Sequence, residues 1–240
     1  MKSLTFVKVK EYLLGEVQRD SAYLIPLRLF IGVGWVRAGL EKWIDAGWHD
    51  GSSLLAFFQE QISGGQVTFP FYQALMQGPF ATRLQALSWV IMLGQMLVGI
   101  ALLAGFFTNF ALLCGMFMNF NFIFAGEINP SAFYIVIQMA LFIGSTGAII
   151  GIDQLLARRV PFCFLVAQPP GSSNCLRVER ATFSVMALLA LVAALVAFPY
   201  IRDFGPHSVE DPAMVLLVIS TVIGLSAAIM LLRLQEKMIS

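Results

Sequence analysis

Charge is what this sequence has least of. Only 12% of its 240 residues are Asp, Glu, Lys or Arg, about half the fraction usual in soluble domains. The 15 basic and 14 acidic residues leave a net charge of +1, with no basic block, which excludes a nucleic-acid-binding protein. Cysteine is scarce as well. Three Cys without a C-x-x-C spacing support neither a secreted disulfide scaffold nor a thioredoxin-like dithiol. There are two histidines, His49 and His207. Asp45, His49 and Asp50 form at most a weak metal or proton-relay group, because a metal site needs more ligands than one His and its neighbours provide. Haem-attachment, Rossmann-glycine and P-loop motifs are missing, so no metal or nucleotide cofactor is indicated.

Apolar residues fill the space. They make up 58% of the chain, with 21 Phe, and mean hydropathy is +0.80. Disorder has the opposite bias. The expected class is an all-α membrane protein, each span needing about 20 apolar residues. Six transmembrane helices are predicted, over residues 23–44, 87–107, 110–125, 131–152, 183–201 and 213–232. The short link Thr108-Asn109 makes the second and third an antiparallel hairpin. Residues 1–22 read as a cytoplasmic or interfacial segment, partly amphipathic, without a signal-peptide cleavage site. Positive charge orients the chain. Lys2, Lys8, Lys10 and Arg19, then Arg158, Arg159, Arg177 and Arg180, then Arg233 and Lys237 all fall on one side if there are six spans. Lys42, Arg83 and Arg202 fall on the other. The expected location is the cell membrane, multi-pass, with both termini cytoplasmic.

On the outer side, residues 45–85 form a long loop with apolar runs too short to span. Gly51-Ser52-Ser53 reads as a helix start with a serine cap. Gly64-Gly65 ends that helix, and Pro70 interrupts the next apolar run.

Several segments then carry a resemblance. The first span reads Leu27-Arg28-Leu29-Phe30-Ile31-Gly32 and Arg37-Ala38-Gly39-Leu40-Glu41-Lys42-Trp43. The second leads into Leu102-Leu103-Ala104-Gly105-Phe106-Phe107-Thr108-Asn109. The third reads Met118-Asn119-Phe120-Asn121-Phe122-Ile123-Phe124-Ala125-Gly126, with Asn129-Pro130 shortly after. The fourth ends Gly147-Ala148-Ile149-Ile150-Gly151-Ile152-Asp153. In order and spacing this set resembles the DoxX/DoxD family of membrane proteins. The resemblance covers roughly 23–156 and implies a four-helix DoxX-like bundle. Residues 157–182 are then a cytoplasmic loop, and 183–240 a C-terminal two-helix hairpin and tail, closer to DoxD-type members. It further implies a subunit of thiosulfate:quinone oxidoreductase, with a quinone as cofactor, although many DoxX members have no settled activity.

Ionisable residues in a span are costly and mark function or a structural pair. Arg37 and Glu41, four apart, can pair along one helix face, and Lys42 lies at the outer mouth, where it can snorkel. They form either an outward-opening site for a sulfur oxyanion or quinone carbonyl, or an ion pair fixing the helix. Arg28, nine residues before Arg37, lies on the opposite face and reads as a lipid-phosphate anchor. Glu127, beside Asn129 at the end of the third span, is a candidate proton acceptor or partner of Arg37 or Lys42. Asn119, Asn121, Gln95 and Gln138 are either ligand contacts or interhelical hydrogen bonds; Asn119 and Asn121 point in nearly opposite directions. The candidate catalytic residues are therefore Glu127 and Glu41. The candidate substrate- or quinone-binding residues are Arg37, Lys42, Asn119, Asn121, Asn129 and Gln95. Cys163 and Cys175 could meet in space but fall on the reducing side. Partners are the lipid bilayer and a partner subunit or a homo-oligomer. A non-catalytic membrane scaffold is the competing reading. A small-molecule transporter ranks third, since no inverted repeat is visible.

Overall fold

The computed structural model describes residues 21–157, 159, 164–168, 176–201 and 211–239. The expectations for the interfacial segment over 1–20 and for Arg158, Cys163, Cys175, Arg202 and His207 lie outside those residues. Among the described residues all regular structure is helical.

A 3₁₀ turn, Ala22–Leu24, leads into α1 (Ile25–Ile44). Pro26 sits in its first turn, where a missing N–H costs nothing. Asp45 breaks the helix in an extended conformation and caps α2 (Ala46–Asp50) by accepting from Gly47 N. Gly51, at φ 89°, separates α2 from α3 (Ser52–Ser63). The predicted serine cap is not made; the Asp50 carboxylate accepts from Ser52 N instead, at 2.8 Å. After α4 (Pro70–Leu75), the chain runs through a π turn containing Pro79 and a 3₁₀ turn straight into α5 (Leu84–Ala104). Proline lacks the N–H that α geometry needs. The remaining helices are α6 (Thr108–Phe124), α7 (Ser131–Ile143), α8 (Asp153–Leu156), α9 (Leu176–Ala197) and α10 (Pro212–Ile239).

Among the described residues four helices are long and apolar enough to cross a membrane: Ala22–Ile44, Pro70–Ala104, Leu176–Tyr200 and Pro212–Gln235. Two apolar helices are shorter, Thr108–Phe124 and Ser131–Ile143. At 1.5 Å per residue α6 rises about 26 Å and α7 about 20 Å, against a hydrocarbon thickness of about 30 Å. The helix expected over 131–152 stops at Ile143 because Ser145 and Ile150 adopt left-handed φ of 47° and 46°. The link between the second and third predicted spans also moves. Gly105, at φ 61°, ends α5, and Thr108 and Asn109 are already helical.

Helix α1 packs on α5, α5 on α6, α6 on α7, and α7 back on α1, which closes a ring. The α9–α10 hairpin lies outside it, with α10 against α7 and α6. The α1–α5 crossing is the tightest. A Cβ on Gly99 would stand 2.6 Å from Val36 N and 2.8 Å from Gly32 O, so two small residues let the backbones meet.

The two ends of the ring differ. At the cap end, segment 46–83 folds over the helices on its own apolar core of Leu54, Phe58, Phe69, Tyr72 and Met76. Phe69 meets Phe124 and Tyr200 edge-on. At the base, residues 144–156 and 164–168 lie near Arg28 and the start of α6.

Candidate functional site

Helix α1 sorts its side chains by angle. At 3.6 residues per turn, Arg28, Ile31, Trp35, Gly39 and Lys42 follow one stripe. The first four are buried and Lys42 is half-buried at the cap-end mouth. Tyr23, Phe30, Val33, Leu40 and Ile44 are exposed on the other side. Arg37 and Glu41 belong to that outward face. Arg37 Nε donates to Glu41 Oε1 at 2.8 Å, with side chains 78% and 60% exposed. The expected pairing is therefore present, on the outside of the ring. The inward cation is Arg28, whose expected role as a lipid anchor is corrected: the residue is 2% exposed.

Each helix of the ring buries a hydrogen-bonding side chain: Trp35 from α1, Gln95 from α5, Asn119 from α6 and Gln138 from α7. Gly94 faces Met118, and Gly115 faces both Val98 and Gln138, which sets Gln95 and Asn119 at one height. Asn119 Nδ2 donates to Gln138 Oε1 at 2.9 Å. Trp35 packs edge-on to Tyr134, with centroids 6.1 Å apart. Trp35 Nε1, Gln95 Oε1 and Gln138 Nε2 have no hydrogen-bond partner among the described residues. Each such buried group costs about 1–3 kcal/mol if nothing meets it. Two N–H donors and one carbonyl acceptor are thus buried and unmatched on the ring helices.

Asn121 points elsewhere. Two residues after Asn119, it is turned by about 200° and accepts from Tyr72 Oη at 3.1 Å, while its Nδ2 donates to Phe117 O. It ties α6 to the cap. Tyr72→Phe should remove about 1 kcal/mol, read as a small drop in the thermal midpoint of the purified protein, with the ring interior untouched.

Above the layer, Lys42 Nζ sits 5.0 Å from the centroid of the Trp48 ring, within cation–π range. Its charge faces Glu41 and Glu127. Glu127 lies in the α6–α7 link and is exposed. Partial desolvation pushes its carboxyl above the ordinary value; Lys42 pulls it back and Glu60 pushes it further up. Asn129 is exposed in the same link, away from the interior layer. Asp45, His49 and Asp50 are engaged locally. Asp45 accepts from Gly47 N and Ser53 Oγ, Asp50 accepts from Ser52 N, and His49 Nε2 meets Trp43 O at 3.0 Å. No group of three His, Cys, Asp or Glu able to hold a metal occurs among the described residues.

At the base, Arg28 donates to the carbonyls of Thr146, Ile149 and Ile150, the last at 2.8 Å. Asp153 accepts from Phe107 N at 2.7 Å, Thr108 N at 2.8 Å and Ala167 N at 3.2 Å. Those amides include the first, unpaired N–H of α6, where an anion is stabilised. Burial pushes the Asp153 carboxyl up, and its hydrogen bonds pull the other way. Phe107, Ser145 and Ile150, the non-glycine residues at positive φ among the described residues, all border this clasp. Such backbone persists only where its surroundings hold it.

Gln95, Asn119, Lys42 and Glu127 are thus the sequence candidates that lie in the ring or at its mouth; Arg37, Glu41, Asn121 and Asn129 do not enter it. Trp35 and the Arg28–Asp153 clasp were missed as interior features. The signal for Trp35 was its spacing of seven residues from both Arg28 and Lys42. No protein-family model matches the chain, and neither a curated protein nor a solved structure matches it.

Proposed function

We propose that the chain is a six-span protein of the cell membrane, of DoxX/DoxD kind, with both termini cytoplasmic. On this reading it binds a quinone head group in the layer formed by Trp35, Gln95, Asn119 and Gln138. The observation that carries the reading is the set of unmatched buried polar atoms on Trp35, Gln95 and Gln138. A quinone carbonyl accepts from Trp35 Nε1 or Gln138 Nε2, and a quinol hydroxyl donates to Gln95 Oε1. The six spans are supported by the lengths of α6 and α7, which reach most of the way across a bilayer, and by the basic residues of 1–22, 157–182 and the C-terminus.

In this role the chain is the membrane subunit of an oxidoreductase acting on thiosulfate or a related sulfur species. Two thiosulfates give one tetrathionate and two electrons, and the quinone takes those electrons with two protons. Lys42 and Glu127, at the mouth, are placed to attract the anionic substrate and to exchange protons.

Titration of the purified protein with a short-chain ubiquinone analogue, followed by Trp fluorescence, tests the binding. Gln95→Leu and Gln138→Leu should each weaken it about tenfold, the equivalent of one hydrogen bond of about 1.4 kcal/mol. Wild type that binds no quinone, and membranes carrying it that show no thiosulfate-dependent quinone reduction, would sink the reading. A second reading, a scaffold without catalysis, draws on Arg37 and Glu41 lying outside the ring, away from any interior reaction centre. It expects the chain to co-purify with another protein and to bind no quinone.

A further inference from the structure

Helices α1 and α7 run antiparallel, and two contacts fix their relative height. At the base, a Cβ on Gly144, just past α7, would stand 2.5 Å from Leu24 Cδ1 and 3.5 Å from Ser21 Cβ. Towards the cap, the Tyr134 hydroxyl lies against Gly34, and its ring meets Trp35 edge-on. Leu24 to Gly34 on one helix and Tyr134 to Gly144 on the other are equal steps, so one register holds along the contact. Ser131, the first residue of α7, therefore stands level with Arg37.

Above that level the two flanks of α1 differ. On the α7 side the chain has turned into a link where Glu127, Asn129 and Pro130 are exposed. There α1 shows Arg37 and Glu41, with side chains 78% and 60% exposed, and Tyr134 is the α7 group that faces Arg37. On the α5 side the surface stays apolar. Gly39 packs on Met92 O and Met96 N, and Gly99 on Gly32 O and Val36 N, which puts Leu93 level with Leu40. Val90, Leu93 and Leu97 are exposed, and α5 has no charged residue. Below Arg37 the α7 flank is apolar too, with Phe30, Val33, Phe133 and Val136 exposed. Tyr23, of the kind that marks a membrane border, closes this band at the base. From Tyr23 to Arg37 it is about 21 Å tall, and α7 rises about 20 Å, at 1.5 Å per residue. An ordinary hydrocarbon layer is about 30 Å. An exposed ion pair in hydrocarbon is costly, and a bilayer thins against a short apolar surface at modest cost.

We propose that the cap-side leaflet dips beside α1 and α7, with phospholipid head groups and their water seated in the notch above Ser131, against Arg37 and Glu41. The hydrocarbon is about 10 Å thinner there than its usual height, which it keeps on the α5 side. Arg37 Nε stays on Glu41, and the terminal guanidinium N–H groups donate to lipid phosphate. Glu127, in the link that rims the notch, faces Lys42 at the mouth of the ring. The dip thus brings the polar edge of the lipid sideways to that mouth, and the head group of an amphiphile reaches it without leaving the membrane. The inference rests on α1 and α7 crossing a membrane, as read above, and not on quinone binding.

Single cysteines in the full chain test it. Leu40 and Leu93 share one height and are each 43% exposed, one on each flank. Val33 lies about 6 Å below Arg37, on the same face as Leu40. In dioleoylphosphatidylcholine nanodiscs both membrane faces are open to reagent. A membrane-impermeant maleimide should label Leu40→Cys at least about ten times faster than Leu93→Cys, because a thiol in water ionises to the reactive thiolate and one in hydrocarbon does not. Val33→Cys should be as slow as Leu93→Cys, over the background of wild type with its three native cysteines. Equal rates at Leu40→Cys and Leu93→Cys, both slow or both fast, with Val33→Cys protected, would overturn the notch and leave the spans standing. Fast labelling of Val33→Cys would overturn the spanning reading and the notch with it. All three side chains lie on the surface, so each variant keeps the packing of the ring.

Discussion

Arg28→Met should destabilise the protein by about 3–5 kcal/mol, because three carbonyls lose one shared buried donor at about 1–3 kcal/mol for each left unmatched. The guanidinium holds three carbonyls from one short segment, Thr146, Ile149 and Ile150, and supplies the positive charge that Asp153 feels across the base. Without it, those carbonyls are left unmatched. The segment also loses what holds Ser145 and Ile150 at positive φ, a conformation costing about 1–3 kcal/mol per residue. Asp153→Ala should be comparably severe, since it strands the amides of Phe107, Thr108 and Ala167. Denaturant unfolding in detergent reads both, together with the Arg28→Met/Asp153→Ala double variant. The clasp requires the double loss to fall clearly short of the summed single losses; simple additivity would show that the two halves act separately. The same change nine residues on, Arg37→Met, should leave monomer folding nearly unaffected, because that side chain is 78% exposed.

The second large effect sits at the α1–α5 crossing. Gly99→Ala should cost at least the 1–3 kcal/mol typical of overpacking, and Gly99→Leu should prevent the ring from assembling. The reason is that the added carbon meets backbone, Val36 N and Gly32 O, which cannot rotate away as a side chain can. Gly224→Ala is the contrast. Its Cβ would rest 3.7 Å from that of Ala190, an ordinary contact, and the better helix former should add up to about 1 kcal/mol of stability. A thermal melt showing equal effects at Gly99 and Gly224 would mean that the helices approach less closely than described.

These two sites mark where the sequence could and could not be read. That Arg28 and Arg37 lie on opposite faces comes directly from nine residues at 3.6 per turn, as does the divergence of Asn119 and Asn121. Which face turns inward does not. In a soluble helix the apolar stripe marks the core, but lipid is as apolar as the interior, so hydrophobicity cannot rank the two sides of α1. The inward side is marked by Gly32, Trp35 and Gly39, whose roles appear only once α5 and α7 are packed against them. The early end of α7 was also hidden. Nothing local makes Ile150, a β-branched residue, adopt a left-handed φ; the bond that stabilises it comes from Arg28, 122 residues earlier. The interior layer was half legible. Gln95, Asn119 and Gln138 stand out as amides in apolar helices, whereas Trp35 is one aromatic among many apolar residues.

The clasp also sets an order of events during synthesis. Arg28 leaves the ribosome long before its partners, the nearest carbonyl being 118 residues further on. At about 5–20 residues per second the guanidinium waits roughly 6–24 s before a matching group exists. Through that interval the guanidinium, one turn inside the base end of α1, can snorkel to the interface, and it turns inward only when its carbonyl partners arrive. A force profile along nascent chains of increasing length should accordingly show a late pull when residues 146–153 reach the membrane, absent in Arg28→Met. Helix α1, made well before α7 and α8, is thus among the last to be locked.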